Sequence, residues 1–203
     1  SEKLPETKSL ENAEKLQFLS VDRGFPILSP VDIQEKNFIG FNYAKTCLFS
    51  ENVGVHFFLD DYQFVRVWND PCRYAQMLSR FKCVMTPDFS VYVDMPVILQ
   101  MYNHYRKQWI GAYWQAMNMD VIPTVSWSDE SSFQWCFSGI PKYSTVSVSS
   151  VGTQKDKKSR LRFMAGYTAM LEKLSPNTIL FYGGVPKECA GNIIRIPCYH
   201  EKF

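Results

Sequence analysis

The chain lacks most of the short patterns through which chemistry shows itself in a sequence. It holds no CxxC pair, no HxH or HExxH, no Gly-x-Ser-x-Gly, and neither GxGxxG nor GxxxxGKS. Those absences leave no motif for a dithiol or ribbon-type zinc site, a zincin helix, a nucleophile elbow or a glycine-rich phosphate cradle. Histidine is scarce, at three residues, so paired imidazoles have little material to draw on. Charge of one sign is missing too. Lys and Arg number 22 against 20 Asp and Glu, a net charge of +2, and no global field calls for nucleic acid or an anionic membrane. No apolar run approaches the roughly 20 residues of a membrane span, and the first residues carry charges where a signal peptide would have its apolar core. The expectation is a soluble, cytoplasmic protein of a bacterial host, with no membrane partner.

What is present belongs to a folded enzyme-sized domain. The 203 residues are 46% hydrophobic and 15% aromatic, enough for a core without covalent staples. Residues 1–15 are polar and read as a flexible or surface tail, and residues 16–203 as a single α/β domain. The six cysteines are dispersed, several inside predicted helices or strands, where a free thiol acts as a small buried hydrophobe. Reduced thiols follow.

From residue 53 the pattern becomes regular. Apolar runs at 53–59, 83–85, 120–125, 144–149, 178–182 and 193–196 read as strands. Helical spacing appears at 71–81, 96–117, 131–137 and 160–174, with Pro71 suited to a first helical turn. Residues 25–28 and 38–43 are aromatic-apolar pieces too short to classify, placed over one end of the sheet. Strands alternating with helices imply right-handed βαβ units. The fold class is therefore α/β: a mainly parallel sheet of about six or more strands alternating with helices, barrel-like or open and doubly wound.

Parallel α/β architectures place ligands at the carboxyl ends of their strands. Reading those ends gives Asp60, Asp61 and Gln63, then Asp88, Ser90 and Tyr92, then Ser126, Trp127 and Asp129, then Ser149, Tyr182 and Gly183. Asp61, Asp88 and Asp129 are the candidate catalytic carboxylates. Asp61 and Asp88 are also the candidate ligands for Mg²⁺ or Mn²⁺, since hard cations take oxygen donors. Paired carboxylates also serve as acid and base across a glycosidic bond. Asp60, Gln63, Ser90, Tyr92, Trp127, Ser149, Tyr182 and Gly183 are the candidate ligand contacts, with Trp127 and Tyr92 as stacking faces. The bland alternative is that the aspartates cap helices, which Asp70 and Asp129 are placed to do. Lys155, Lys157, Lys158 and Arg160 form the one basic cluster, a phosphate or nucleic-acid candidate against a background of ordinary solvated surface. His56 reads as a core histidine, and Tyr102, Tyr105, Trp109, Tyr113 and Trp114 as core or a protein interface.

Gly54-Val-His-Phe-Phe-Leu-Asp-Asp-Tyr-Gln-Phe64, Trp68-Asn69 with Pro71, Thr86-Pro-Asp-Phe-Ser90, Asp94-Met-Pro96 and Tyr105-Arg106 resemble domain-of-unknown-function family 4417. So do Val121-Ile-Pro-Thr-Val-Ser-Trp127, Phe137-Ser-Gly-Ile-Pro141, Ser147-Val-Ser149 and Tyr182-Gly183. The resemblance runs in order from residue 38 to 185. It implies an origin in bacteria, their phages or other mobile elements, and carries over no activity. Similar sequences tend to hold Asp where this chain has Ser138, which weakens a role for that position. Two function classes follow: a ligand-binding site with a hydrolytic option, for a nucleotide, nucleic acid or sugar, or a non-catalytic protein that binds or inhibits a host protein. A DNA-binding accessory of replication comes third.

Overall fold

A computed structural model describes residue 12 and residues 20–198. The expected tail lies outside the described residues except for Asn12, whose side-chain amide donates to the Trp68 carbonyl at 2.8 Å. Strands β1 (Val21–Asp22) and β2 (Phe25–Pro26) form an antiparallel hairpin. Its two-residue turn, Arg23 and Gly24, has φ of 54° and 87°, a left-handed pair that follows the twist of a hairpin.

The body is mixed α/β, built on two parallel sheets. β3 (Phe38–Gly40), β4 (Gly54–His56), β5 (Cys83–Met85) and β6 (Val121–Ile122) make the first, in that order. β7 (Thr145–Ser149), β8 (Thr178–Tyr182) and β9 (Ile193–Ile196) make the second. Helices α1 (Phe41–Ala44), α2 (Val65–Asn69), α3 (Pro71–Leu78), α4 (Val97–Ala116) and α5 (Lys157–Leu174) fill the connections. Neither sheet reverses its strand order, so neither contains the switch point of a doubly wound fold.

The expectation of one sheet needs correction at β6. That strand stops after two residues because Pro123 has no N–H for the ladder. One isolated parallel bridge, Thr124 to Ser147, spans the two sheets. Two backbone bonds hold it, Val125 N to Ser147 O and Ser147 N to Pro123 O, both at 2.8 Å. Hydroxyls reinforce the seam: Thr124 Oγ1 donates to Thr86 O at 2.8 Å and lies 2.9 Å from Ser147 Oγ.

Side-chain alternation sorts the cores. Val55, Val84 and Val121 face outward to a cluster with Trp68, Trp109 and Trp114 under the first four helices. Val146, Val148, Ile179 and Phe181 face outward to Phe163, Tyr167 and Met170 of α5. The intervening residues Phe38, Cys83, Met85, Ile122, Leu180, Tyr182 and Ile196, drawn from both sheets, meet in one inner cluster. Two expected elements change at their ends. In place of a helix over 131–137 stands a five-residue 3₁₀ helix, Glu130–Gln134, and α5 starts at Lys157 because Asp156 caps it, accepting from Ser159 N at 2.8 Å. All six cysteines are free. Among the described residues, no helix is long and apolar enough to cross a membrane.

Candidate ligand cavity

Above the inner cluster, at the carboxyl ends of the strands, lies a cavity of about 900 Å³. All seven strands of the two sheets, or the residues just after them, reach it: Gly40, His56, Asp88, Ser126, Ser149, Tyr182 and Pro197. Nine of the residues chosen from strand ends line it: Asp60, Gln63, Asp88, Ser90, Tyr92, Ser126, Trp127, Ser149 and Tyr182. Asp61, Asp129 and Gly183 do not, and Lys155, Lys157, Lys158 and Arg160 are exposed outside its lining.

The aspartates divide by what they bond. Asp129 accepts from Ser131 N at 3.0 Å and Ser131 Oγ at 2.6 Å, so it caps the 3₁₀ helix, and these bonds hold its carboxyl below the usual range. Asp70 likewise caps α3 through Arg73 N at 3.2 Å. Asp61 uses both oxygens on Ser90: Oδ2 accepts from Ser90 N at 3.1 Å, and Oδ1 from Ser90 Oγ at 2.8 Å. Asn103 on α4 holds the same loop from the other side, donating to Ser90 O at 2.5 Å, while Arg106 donates to Asn103 and stacks 4.0 Å from the Phe89 ring centroid. These clamps fix the segment that presents Asp88.

Asp88 differs from the other aspartates. It is half-buried in the cavity wall, and its Oδ1 is closed off from solvent with no hydrogen-bond partner among the described residues. Burial pushes its carboxyl up to about 6, although the Lys107 charge and the Ser126 hydroxyl pull it down. Lys107 projects from α4 and is 1% exposed, with Nζ donating to Ser126 Oγ at 3.1 Å. Burial lowers its basicity, partly restored by Asp88 and Cys136. Ammonium, hydroxyl and carboxyl thus form a chain, of which Ser126 and Asp88 reach the cavity.

A shared cation at Asp61 and Asp88 fits this arrangement poorly. Asp61 is committed to Ser90, and among the described residues no three His, Cys, Asp or Glu side chains converge as a metal site. The aromatic walls are better formed. His56, Phe58 and Tyr182 stack on one side, Phe58 and Tyr182 with centroids 5.0 Å apart at 23°. Opposite, Trp127 packs on Phe163 at 5.4 Å. Gly166 of α5 makes room for it, because a Cβ there would lie 2.0 Å from Trp127 Nε1.

The family model described as a domain of unknown function, DUF4417, matches residues 19–200. The chain belongs to the DUF4417 family. It is similar to the Gene 1 protein of Mycobacterium phage L5, 36% identical over 160 residues, which cover 78% of this chain and 70% of that protein. The Gene 1 protein of Mycobacterium phage D29 is 37% identical over 160 residues, covering 78% of this chain and 59% of that protein. This DUF4417 chain therefore spans less than two thirds of the D29 relative and is phage-related. No solved structure matches it.

Two features of this DUF4417 site escape sequence reasoning. Lys107 sits in the middle of a helix beside Arg106, where a lysine reads as solvent-facing. Only the packing of α4 shows that it points inward. His56 was correctly assigned to an apolar strand, and it is buried, accepting from Phe58 N at 3.3 Å through Nδ1. Its second role as a cavity wall follows from strand length, since β4 ends at that residue. Ser138 does not line the cavity; its carbonyl accepts from His104 Nε2 at 2.9 Å.

Proposed function

We propose that this DUF4417 protein binds a small, ring-bearing, uncharged or cationic ligand in the cavity at its strand ends. The observation that carries the reading is the lining. Aromatic faces stand on two sides, two carboxylates (Asp60 and Asp88) point in, and among the described residues neither lysine nor arginine lines it. A polyphosphate would meet two acids without a basic side chain in the wall. A nucleoside, a sugar or an amine-bearing heterocycle would stack and donate hydrogen bonds to carboxylate and hydroxyl oxygens. The volume suits such a ligand, since small-molecule sites span about 300–1,000 Å³. The inner cluster shared by both sheets and the Thr124–Ser147 bridge support reading the seven parallel strands as one barrel-like wall around this mouth.

A thermal-shift screen tests the reading with nucleosides, their triphosphates, monosaccharides and polyamines, each with and without Mg²⁺. A ligand at a hundred times its Kd stabilises by about 2.7 kcal/mol. At about 2–4 °C per kcal/mol for a chain of this size, Tm should rise by about 5–10 °C. Shifts with neutral or cationic members and none with triphosphates are expected. A shift confined to triphosphates with Mg²⁺ would sink the proposal in this form.

A second reading rests on exposed apolar side chains. Tyr62 is 77% exposed, Ile98 at the start of α4 72% and Leu48 89%. Exposed apolar side chains of this size are contacts that a host protein partner would cover. That reading predicts a complex that survives Asp88→Asn and is lost in Ile98→Asp, measured by sedimentation with the isolated partner.

A further inference from the structure

The Lys107–Ser126–Asp88 chain has a geometry that ligand binding alone does not need. A hydroxyl faces the cavity, an amine stands directly behind it, and a carboxyl group shares the same wall. Lys107 Nζ lies 3.1 Å from Ser126 Oγ, within the range required of a base and its nucleophile. Lys107 has almost no contact with solvent, so the ammonium form has lost its hydration. Asp88 lines the cavity, and its buried Oδ1 has no partner among the described residues.

We propose that Ser126 is the nucleophile of an acyl-transfer site, with Lys107 as its base and Asp88 as the acid that protonates the leaving group. The inference rests on the binding reading and names its substrate class: an ester of an uncharged or cationic ring-bearing molecule. Phosphoesters are disfavoured for the reason triphosphates are, since the described lining residues offer no Lys or Arg to their charge.

The chemistry balances within the three groups and water. Neutral Lys107 takes the Ser126 proton while Oγ bonds the acyl carbon. The carbon–oxygen bond to the alcohol breaks, and the Asp88 carboxylic acid gives its proton to the departing oxygen. Water then adds to the acyl carbon and returns a proton to Asp88. Ser126 departs from that carbon and recovers its proton from the Lys107 ammonium, releasing a carboxylic acid. Electrostatics supports the starting state, because burial drives both groups toward neutrality: Lys107 becomes less basic, and Asp88 is pushed up to about 6. The other titratable groups around the chain are Asp61 beside Asp88, Cys136 beside Lys107, and His104 one turn away on α4, itself held neutral by burial.

The test treats the full chain with a small uncharged fluorophosphonate and with p-nitrophenyl acetate, and locates adducts by intact mass and peptide mapping. A single adduct on Ser126 is expected, absent from Ser126→Ala. Labelling of Lys107→Met, whose unbranched chain fits the buried slot, should be slower by about 10²–10⁴-fold, the usual worth of a positioned base. No adduct, adducts scattered over surface serines, or wild-type rates in a folded Lys107→Met would each overturn the proposal. Mapping on the wild-type chain decides the matter even where Lys107→Met does not fold. Ligand-induced thermal shifts separate the two readings: shifts in the wild-type chain with no adduct on its Ser126 leave a binding cavity whose serine merely bridges a buried ion pair.

Discussion

Replacing Gly166 by alanine sets two opposing effects against each other. On an open helix face Gly→Ala stabilises by about 1 kcal/mol, because glycine gives up more backbone freedom on folding. Gly166 is buried within α5, and a Cβ there would come within 2.0 Å of Trp127 Nε1, 2.2 Å of Cδ1 and 2.3 Å of Cε2. Carbon contacts settle near about 3.5–4.0 Å, so the indole must retreat by about 1.5 Å. Phe163 and Phe137 pack beside it, with centroids 5.4 and 6.5 Å away, and leave the cavity as the open direction. Overpacking of this kind costs about 1–3 kcal/mol. Set against the helix gain, the variant should lose up to about 2 kcal/mol, a fall in Tm of up to about 8 °C at 2–4 °C per kcal/mol. Melting followed by far-UV circular dichroism measures this, and indole emission reports Trp127 moving toward the cavity. Gly184→Ala serves as control, because its Cβ would meet no heavy atom within 4 Å. Were Gly166→Ala to melt higher than wild type with unchanged emission, the packing argument for this wall would be wrong.

Asp61→Ala removes the acceptor of Ser90 N and Ser90 Oγ, and should cost about 2–4 kcal/mol by urea unfolding, since bonds to a charged group are worth about 1.5–3 kcal/mol each and part is regained from water. A change under about 0.5 kcal/mol would show that the loop holding Asp88 is fixed by Asn103 alone. Asp88 has a folded pKa raised to about 6, so the native state binds the extra proton and this group's contribution is full below about pH 4 and lost as pH rises through 6. Asp88→Asn should therefore gain on wild type by up to about 3 kcal/mol between pH 4 and 7, measured as the difference in unfolding free energy. A difference constant with pH would count against the burial. Glu35 is 5% exposed and accepts from Lys36 N at 2.8 Å, Asn37 N at 2.7 Å and the Lys82 ammonium at 2.5 Å. Glu35→Ala should cost about 2–4 kcal/mol, whereas Lys82→Ala, with its partner still bonded to backbone, should cost under about 1 kcal/mol; equal losses would refute the backbone's role.

Much of the framework is legible in the residues. β5, β8 and β9 fall on the residues their apolar runs mark, because each run is bounded by turn or breaker residues such as Pro87 and Gly183-Gly184. The hydroxyl and valine alternation of β7 is equally plain, and it sends valines to α5 and Thr145, Ser147 and Ser149 inward. Residues 38–43 resist classification because they hold two elements in six residues, β3 running straight into α1. Strand ends locate nine cavity residues, since topology places those ends together. They fail for Asp61 and Asp129, because an aspartate after a strand looks the same whether it meets a ligand or a backbone N–H. Lys107 is beyond local pattern altogether: its burial depends on which way a twenty-residue helix is turned.

The seam between the sheets has a consequence for how this fold tolerates change. A backbone ladder is indifferent to side chains, and any strand-forming residue extends it. Here the two backbone bonds that join the sheets are backed by particular hydroxyls, Thr86, Thr124 and Ser147, cross-linked on either side of a proline. The side chain of valine has the shape of threonine's but can neither donate nor accept, so an isosteric exchange leaves the backbone bonds in place while removing the hydroxyl part of the fastening. The strands beneath the cavity can therefore drift in sequence more freely than the three small polar residues that keep its two halves in register.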